Sequence, residues 1–536
     1  MPSGGLLQLV ANTGSSSDVY LTGNPQVTYF KTVYRRHTNF AMETFRNIFL
    51  GNTTFGGYTT ATIERAADLV YKSYVRVVVS GATAPAGAQW AWVQNLGHAL
   101  LQNVELQIGG QRVDYHTSDS FHFFKELRVT ADQARGYDKL IGNVPELTTL
   151  NQSHDSYTLY IPLKFFYDRS IGQALPLIGL QFHDVRINVN FESLNNLLVT
   201  SGFAPGLDPG QTLGIKMEAS LEVGMVYLDT DERRRFSQLS HELLIDQVQW
   251  TGAVGHAFSS ANLNKPVNNL LSFTNPVKEL IWGLHNGRMA NTNGTYQYLW
   301  YDPNDVDNMR LIATKRFVLA CAQYDQNNNL VLANTSTDTN SILPCPGLTG
   351  TPLAIFNRIQ AAAVATTPAL YNVGILGDLL TMAEISTPVS VLLAGVPGRP
   401  PLGDGAPQND VTVRMPHNFG LYLDGTVNPL DNAKIILNGQ ERIKSQDAAF
   451  FNYVQPYEHH TRTPADGINI YSFAIAPEEL QPSGSLNFSR VDTSVLQTMF
   501  QDQYLDALGS DSQITIYAYS YNVLRIVSGM AGLAFT

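Results

Sequence analysis

Histidine and carboxylate side chains are the groups most able to do chemistry here, so their spacing is read first. The chain holds twelve histidines, and one pair is adjacent: Glu458-His459-His460. On an extended strand neighbouring side chains point to opposite faces, so these two rings would not converge on one ion; the expectation is a polar turn at a domain interface. His241-Glu242-Leu243-Leu244 lacks the second histidine of a zinc-protease helix. Asp302-Pro-Asn-Asp-Val-Asp307 is acidic enough for calcium but lacks the turn glycine and distal glutamate of an EF-hand loop. Asp229 with Asp231, and Glu478 with Glu479, are carboxylate pairs of the kind a glycosidase uses, but spacing in sequence does not fix the separation that mechanism needs. There is no Gly-x-Ser-x-Gly elbow, Walker loop or Gly-x-Gly-x-x-Gly turn. The expectation is a protein with no catalytic residues, no metal and no cofactor.

Composition narrows the class. Of 536 residues, 44% are hydrophobic and only 15% charged, which argues against disorder and for a surface that is polar but uncharged or covered by partners. Lys+Arg 34 against Asp+Glu 45 gives a net charge of −11, which disfavours specific nucleic-acid binding as the main role. Residues 1–50 run against this trend, with Lys31, Arg35, Arg36 and Arg46 facing only Asp18 and Glu43. Two cysteines, Cys321 and Cys345, exclude a disulfide scaffold and are expected to be reduced. The start carries no basic leader region, and the uncharged window Ile359 to Gly377 is too polar to span a membrane. Five Asn-x-Ser/Thr sequons occur, at Asn52, Asn151, Asn293, Asn334 and Asn487; Asn293 and Asn334 are the candidate glycan acceptors.

The elements that position these groups are strands. Val185 to Phe191 alternates apolar and polar at every step, the signature of a half-buried strand. Tyr71–Val79, Leu221–Leu228 and Gln513–Val523 are rich in β-branched and aromatic residues. Asp119 to Arg128 predicts a short helix with Asp119 as its cap, and Ser494 to Phe500 fits a helix or a strand. An internal repeat is visible: Asn103-Val-Glu-Leu-Gln-Ile-Gly-Gly-Gln111 resembles Asn432-Ala-Lys-Ile-Ile-Leu-Asn-Gly-Gln440, and the same offset places Phe121 on Phe450. Each copy reads as a strand and a turn needing positive φ. Tyr160-Ile-Pro-Leu is matched with Tyr471-Ser-Phe-Ala. Two copies of one β domain are expected, joined by a hinge at Asp229 to His241, with a long loop-rich segment from Trp300 to Met415 in the second.

Several blocks resemble a known family. They are Gly4 to Ala11, Asp18 to Lys31, Tyr34 to Ala41, Val104 to Gln111, Tyr160 to Leu163 with Ala174 to Gln181, Phe451 to Tyr457, Pro482 to Arg490, and Tyr519 to Ile526 with Gly529 to Phe535. Together they are similar to the major capsid proteins of nucleocytoplasmic large DNA viruses. The resemblance implies an all-β fold of two consecutive eight-stranded jelly rolls with short helices in the connections, and makes Ser494 to Phe500 a strand. It divides the chain into an arm at 1–24, a first jelly roll at 25–235 and a second at 236–536, the last with an insertion at about 300–415. It implies homotrimers forming pseudo-hexagonal capsomers of an icosahedral shell. The implied partners are the chain itself, neighbouring capsomers, minor capsid and penton proteins, and an internal membrane indirectly. The implied location is the virion, after assembly in the host cytoplasm. The alternative reading is a carbohydrate-binding or carbohydrate-active β-sandwich.

Overall fold

A computed structural model describes residues 22–149, 151–201, 208–256, 265–285, 332–335, 338–342, 416–420, 427–501 and 512–535, with a few single positions elsewhere. Residues 1–40 and 41–536 form two separate units. Within the first, residues 23–39 have no regular secondary structure and are exposed throughout.

The first half supplies eight principal strands: β1 (Phe40–Ile48), β2 (Tyr58–Thr62), β3 (Leu69–Val79), β4 (Leu101–Ile108), β5 (Gln111–Thr117), β6 (Tyr157–Pro162), β7 (Val185–Phe191) and β8 (Met217–Leu228). They pair as β1-β8-β3-β6 and β2-β7-β4-β5, with Leu50–Gly51 outside β2. The second half repeats the set: β9 (His241–Trp250), β10 (Val267–Leu270), β11 (Pro276–His285), β12 (Leu430–Leu437), β13 (Gln440–Asp447), β14 (Asn469–Ser472), β15 (Ser494–Phe500) and β16 (Ser512–Val527). These pair as β9-β16-β11-β14 and β10-β15-β12-β13, the same permutation shifted by eight. A last strand, β17 (Met530–Leu533), folds back on β16. Each half is therefore a jelly roll, two antiparallel sheets closed over one core, and the two-copy expectation holds.

The repeated hairpins explain why the repeat survives in sequence. Gly109 and Gly110 have φ of 59° and 82°, and Asn438 and Gly439 have φ of 50° and 77°. Both turns are of the primed type that matches strand twist, and only Gly or Asn enters that region at low cost. Ser494 to Phe500 is a strand whose side chains alternate between buried and half-buried. Two sequence expectations need correction. Tyr160 faces out of its sheet while Tyr471 packs toward the second core, so the two stretches share a strand but not a register. In Val185 to Phe191, Arg186 is exposed, but Asn188 is buried and accepts a hydrogen bond from Thr60 Oγ1 at 2.9 Å.

The cores mix aliphatic and β-branched side chains with large aromatic ones. Val75, Val77, Leu106, Ile187, Val189, Leu221 and Val223 fill the first. Leu280, Trp282, Ile435, Leu496, Ile514 and Ile516 fill the second. Short helices lie in the connections, among them α1 (Leu96–Leu100), α2 (Ser118–Arg128), α3 (Ala131–Leu140) and α4 (Thr230–Gln238). The N-cap of α2 is Thr117, whose N–H donates to Ser120 Oγ at 3.0 Å; Asp119 sits in the first turn instead of capping. Helix α4 occupies the expected hinge and is polar apart from Phe236, with no buried residue. Among the described residues no helix is long and apolar enough to cross a membrane. Residues 302–307, Cys321, Cys345, Ile359 to Gly377 and most of 300–415 lie outside the described residues.

The packing sets a direct test. Ile187→Ala empties a fully buried site at the centre of the first core and is expected to destabilise by about 2–5 kcal/mol. Arg186→Ala, on the exposed face of the same strand, is expected to change stability by less than about 0.5 kcal/mol. Urea unfolding midpoints of the two variants make the comparison.

Candidate assembly surfaces and the seam between the sandwiches

The two sandwiches meet through different walls. The edge strand β5 of the first abuts the edge strand β9 of the second: Val248 N–H donates to Asp114 Oδ1 at 3.0 Å, and Gln247 Nε2 donates to the Val113 carbonyl. Helix α2, which follows β5, lies on the outer face of sheet β9-β16-β11-β14. Its Phe123 and Leu127 pack with Val248, Ile281, Ile470, Tyr517, Tyr519 and Phe419. Burial of side chains this size stabilises by about 1.5–3 kcal/mol each.

A buried ionic network lies beside this contact. Arg128 at the end of α2 donates to Glu279 Oε1 at 2.6 Å, and its guanidinium lies 4.9 Å from the Tyr519 ring centroid. His460 Nε2 stands 3.2 Å from the other Glu279 oxygen, and its Nδ1 is 2.9 Å from Glu478. Nearby, Arg169 of the first sandwich and Lys278 of the second both reach Asp246 Oδ2, at 2.8 and 2.6 Å. Burial alone would push the Glu279 carboxyl up, but Arg128 and His460 outweigh it and hold Glu279 well below the usual carboxylate range. Burial would lower His460, but Glu279 and Glu478 bring it up to about 8. Lys278 is lowered by burial to about 8, an effect that Asp246 only partly offsets.

The sequence candidates fall in place around this seam. His459 and His460 end a short helix (Gln455–His459), not a strand. The expected polar turn at a domain interface is there, and His460 takes part in it while His459 bonds the Ile475 carbonyl. Glu478 belongs to the network; Asp229 instead caps α4, accepting from Thr230 N–H. Among the described residues no cluster of three or more His, Cys, Asp or Glu is arranged to hold a metal. Asn293 lies outside the described residues, and Asn334 stands in a strand (Leu332–Thr335) paired with Asp338–Ile342. Sequence reasoning missed Arg128, Glu279 and Asp246, because single charges in strands and helices give no local signal; only the topology brings them together.

Other walls remain open. Strand β13 is exposed along almost its whole length. Tyr457, 85% exposed, lies on the short helix Gln455–His459, with Tyr453 and Val454 exposed just before it, and Ile475 and Leu480 are exposed in the following connection. On the opposite side of the first sandwich, Met42, Ile48, Leu50 and Tyr58 are exposed along the edge formed by β1 and Leu50–Gly51. Residues 22–39 present Tyr29 and Phe30, 95% and 99% exposed, beside Lys31, Arg35 and Arg36. Large apolar side chains concentrated on particular faces mark contact surfaces.

The His460 contact carries a pH signature. Its folded value of about 8 lies above the ordinary 6.5, so its stabilising effect is full below about pH 6.5 and is lost as pH rises through about 8. The stability difference between the unaltered chain and His460→Gln is therefore expected to be largest near pH 6 and to shrink by pH 9. Thermal melts across this range check it, and a difference independent of pH would remove the imidazolium from the account.

Comparison with known proteins adds the family. Residues 28–229 match the major capsid protein N-terminal family, and residues 232–532 match the large eukaryotic DNA virus major capsid protein family. Capsid protein 1 of Acanthamoeba polyphaga mimivirus is 36% identical, with 100% of both chains covered. The major capsid protein of Paramecium bursaria Chlorella virus 1 is 32% identical over 99% of both. The solved PBCV-1 VP54 structure superposes with a TM-score of 0.62 at 28% identity, covering 95% of this chain and 100% of that one. The Faustovirus major capsid protein, 14% identical with 98% and 97% covered, shares the fold at a TM-score of 0.59. The two viral relatives and the Faustovirus protein are named as capsid proteins, and the carbohydrate-directed alternative finds no support among these matches. With both jelly rolls matched end to end, the chain belongs to the family of large eukaryotic DNA virus major capsid proteins.

Proposed function

We propose that three copies of the chain close into a ring of six sandwiches, a homotrimeric pseudo-hexagonal capsomer, and that capsomers tile the icosahedral shell of a double-stranded DNA virus. The observation that carries this reading is the head-to-tail seam within one chain. The β5 side of the first sandwich, with α2, meets the β9 side of the second. The corresponding walls of a chain are left over at its two ends: the β13 side with its helix, and the β1 side. Under the repeat offset, Phe124 and Arg128 of α2 correspond to Tyr453 and Tyr457. Arg128 is engaged at the internal seam, whereas Tyr453 and Tyr457 are exposed. A heterologous contact of this kind closes into a ring when its rotation allows, and three copies of a two-sandwich chain give six seams.

Strand parity supports the radial placement. In antiparallel sandwiches successive connections alternate between the two ends. The linker between β8 and β9 and the start of β1 share one end. Residues 286–429, between β11 and β12, leave from the other. We place that far end outward, with the insertion at about 300–415 exposed to the host and Asn293 and Asn334 as glycan acceptors. The linker end faces inward, where the arm (1–24) meets minor capsid proteins; penton proteins complete the vertices, and the internal membrane is met only indirectly. In this reading the jelly rolls span 25–235 and 236–536, the protein works in the virion after assembly in the host cytoplasm, and it has no reaction, cofactor or specific nucleic-acid partner.

Light scattering on the purified chain is expected to give three times the 59.0 kDa chain mass. Tyr453→Glu with Tyr457→Glu is expected to give folded monomers. A wild-type monomer at micromolar concentration would overturn the trimer, and an intact trimer of the double variant would move the contact elsewhere. An epitope tag between Asn334 and Asn340 is expected to bind antibody on intact particles; binding only after disruption would invert the radial assignment.

A further inference from the structure

Three histidines that the sequence did not single out lie together at the far end of the seam. His98 is on α1, His122 on α2, and His417 on the segment 416–420, where the chain returns from the insertion. All three are buried. The His122 and His417 rings stack with centroids 4.9 Å apart and planes 13° apart, and His98 lies 6.2 Å from His417. The Nδ1 atom of each has no hydrogen-bond partner among the described residues.

The hydrogen bonds define the protonation state. Ser118 Oγ donates to the His98 carbonyl at 2.7 Å, which uses its only proton. Its 2.7 Å contact with His417 Nε2 therefore has the imidazole as donor, and His417 is the Nε2–H tautomer with a bare Nδ1. His98 Nε2 pairs with Tyr137 OH at 3.0 Å. Among the described residues the carboxylates nearest the cluster already have partners, and although Asp119 favours the charged form of His417, burial outweighs it. Asp119 on α2 faces His285 of β11 at 3.1 Å, and Asp138 on α3 pairs with the buried Lys125 of α2 at 2.6 Å. Lys164, after β6, adds a further positive charge on the His98 side, and His116, bound to Asp114, lies beyond Phe121.

The segment that carries His417 is itself a wedge. Phe419 packs 4.9 Å from Phe123 and 4.5 Å from the His285 ring. A Cβ on Gly283 would overlap the Phe419 ring, and one on Gly467 its carbonyl oxygen, so the two glycines make the slot it fills. A cavity of about 370 Å³, lined in part by Asp119, Trp250, His285 and His417, lies beside it.

We propose that His98, His122 and His417 form an acid-sensitive latch, in which protonation of the buried cluster expels segment 416–420 from between the two sandwiches and loosens the far end of the seam. Up to three added protons would place cations against each other and against Lys125, with Asp119 and Asp138 already engaged. Burial holds His98 and His122 well below the ordinary histidine value and brings His417 down to about 4. Such depressed groups give stability that is full above about pH 6.5 and is lost as pH falls toward about 4. The network at Glu279 and His460 has the opposite dependence around pH 8, so the two ionisable regions of the seam are separable.

Amide hydrogen exchange on the full-length assembled protein, corrected for intrinsic pH dependence, tests the latch. From about pH 7.5 to about pH 5, protection at 416–420 and along α2 is expected to fall by about tenfold or more while β16 keeps its protection. His122→Phe with His417→Gln is expected to abolish most of that loss, and Asp119→Asn is expected to retain it. A loss that persists in the double histidine variant would assign the acid effect to carboxylates and overturn the proposal. If the double variant does not fold, the wild-type pattern still decides: no loss at 416–420, or simultaneous loss there and in β16, overturns it.

Discussion

A carboxylate with no exposed surface cannot stay charged without compensation, and Glu279 is such a group. Its compensation comes from both sandwiches: Arg128 from the first, His460 from the second. Removing one partner from a buried pair leaves an uncompensated charge, typically at a cost of about 3–5 kcal/mol. The apolar contact of α2 with the facing sheet supplies attraction, but apolar contact tolerates sliding. The charged network fixes where along the sheet the helix must rest. The alignment of the two sandwiches, and hence the geometry any ring must follow, is set at this point.

The duplication explains how one chain carries both a satisfied and an unsatisfied version of the same surface. The strand permutation is identical in the two halves. What differs is the helix after the fifth strand. In the first half it ends in Arg128, which is held by Glu279 and Tyr519. In the second half the equivalent position is Tyr457, an aromatic side chain left in solvent. An exposed aromatic side chain offers much area with few rotatable bonds, whereas the internal seam accommodates a desolvated ion pair.

Much of this fold was legible in the sequence because its cues are local. Gly109-Gly110 and Asn438-Gly439 mark turns by a backbone requirement that few residues meet, and Tyr71 to Val79 reads as a strand from its own side chains. The candidate site was much less legible. His98, His122 and His417 are brought together across some 300 positions by topology, and nothing in the neighbourhood of any one of them announces the others. Asp119 was read as a helix cap from its type; the structure gives that place to Thr117 and uses Asp119 against His285, a partner 166 residues away. Matching Tyr160 with Tyr471 failed for a related reason: a one-residue offset in a strand reverses the face, and sequence similarity alone does not fix register.

The short polar linker has a kinetic consequence. Helix α4 and its flanks, residues 229–240, hold the two sandwiches within reach, so the internal seam forms at an effective concentration in the millimolar range. Only seams between chains wait on diffusion. In a six-sandwich ring built from this chain, three of the six seams are unimolecular, and two bimolecular encounters bring the sandwiches together where separate ones would need five. Tethering also removes a wrong product: a ring with an odd number of sandwiches leaves one of them dangling.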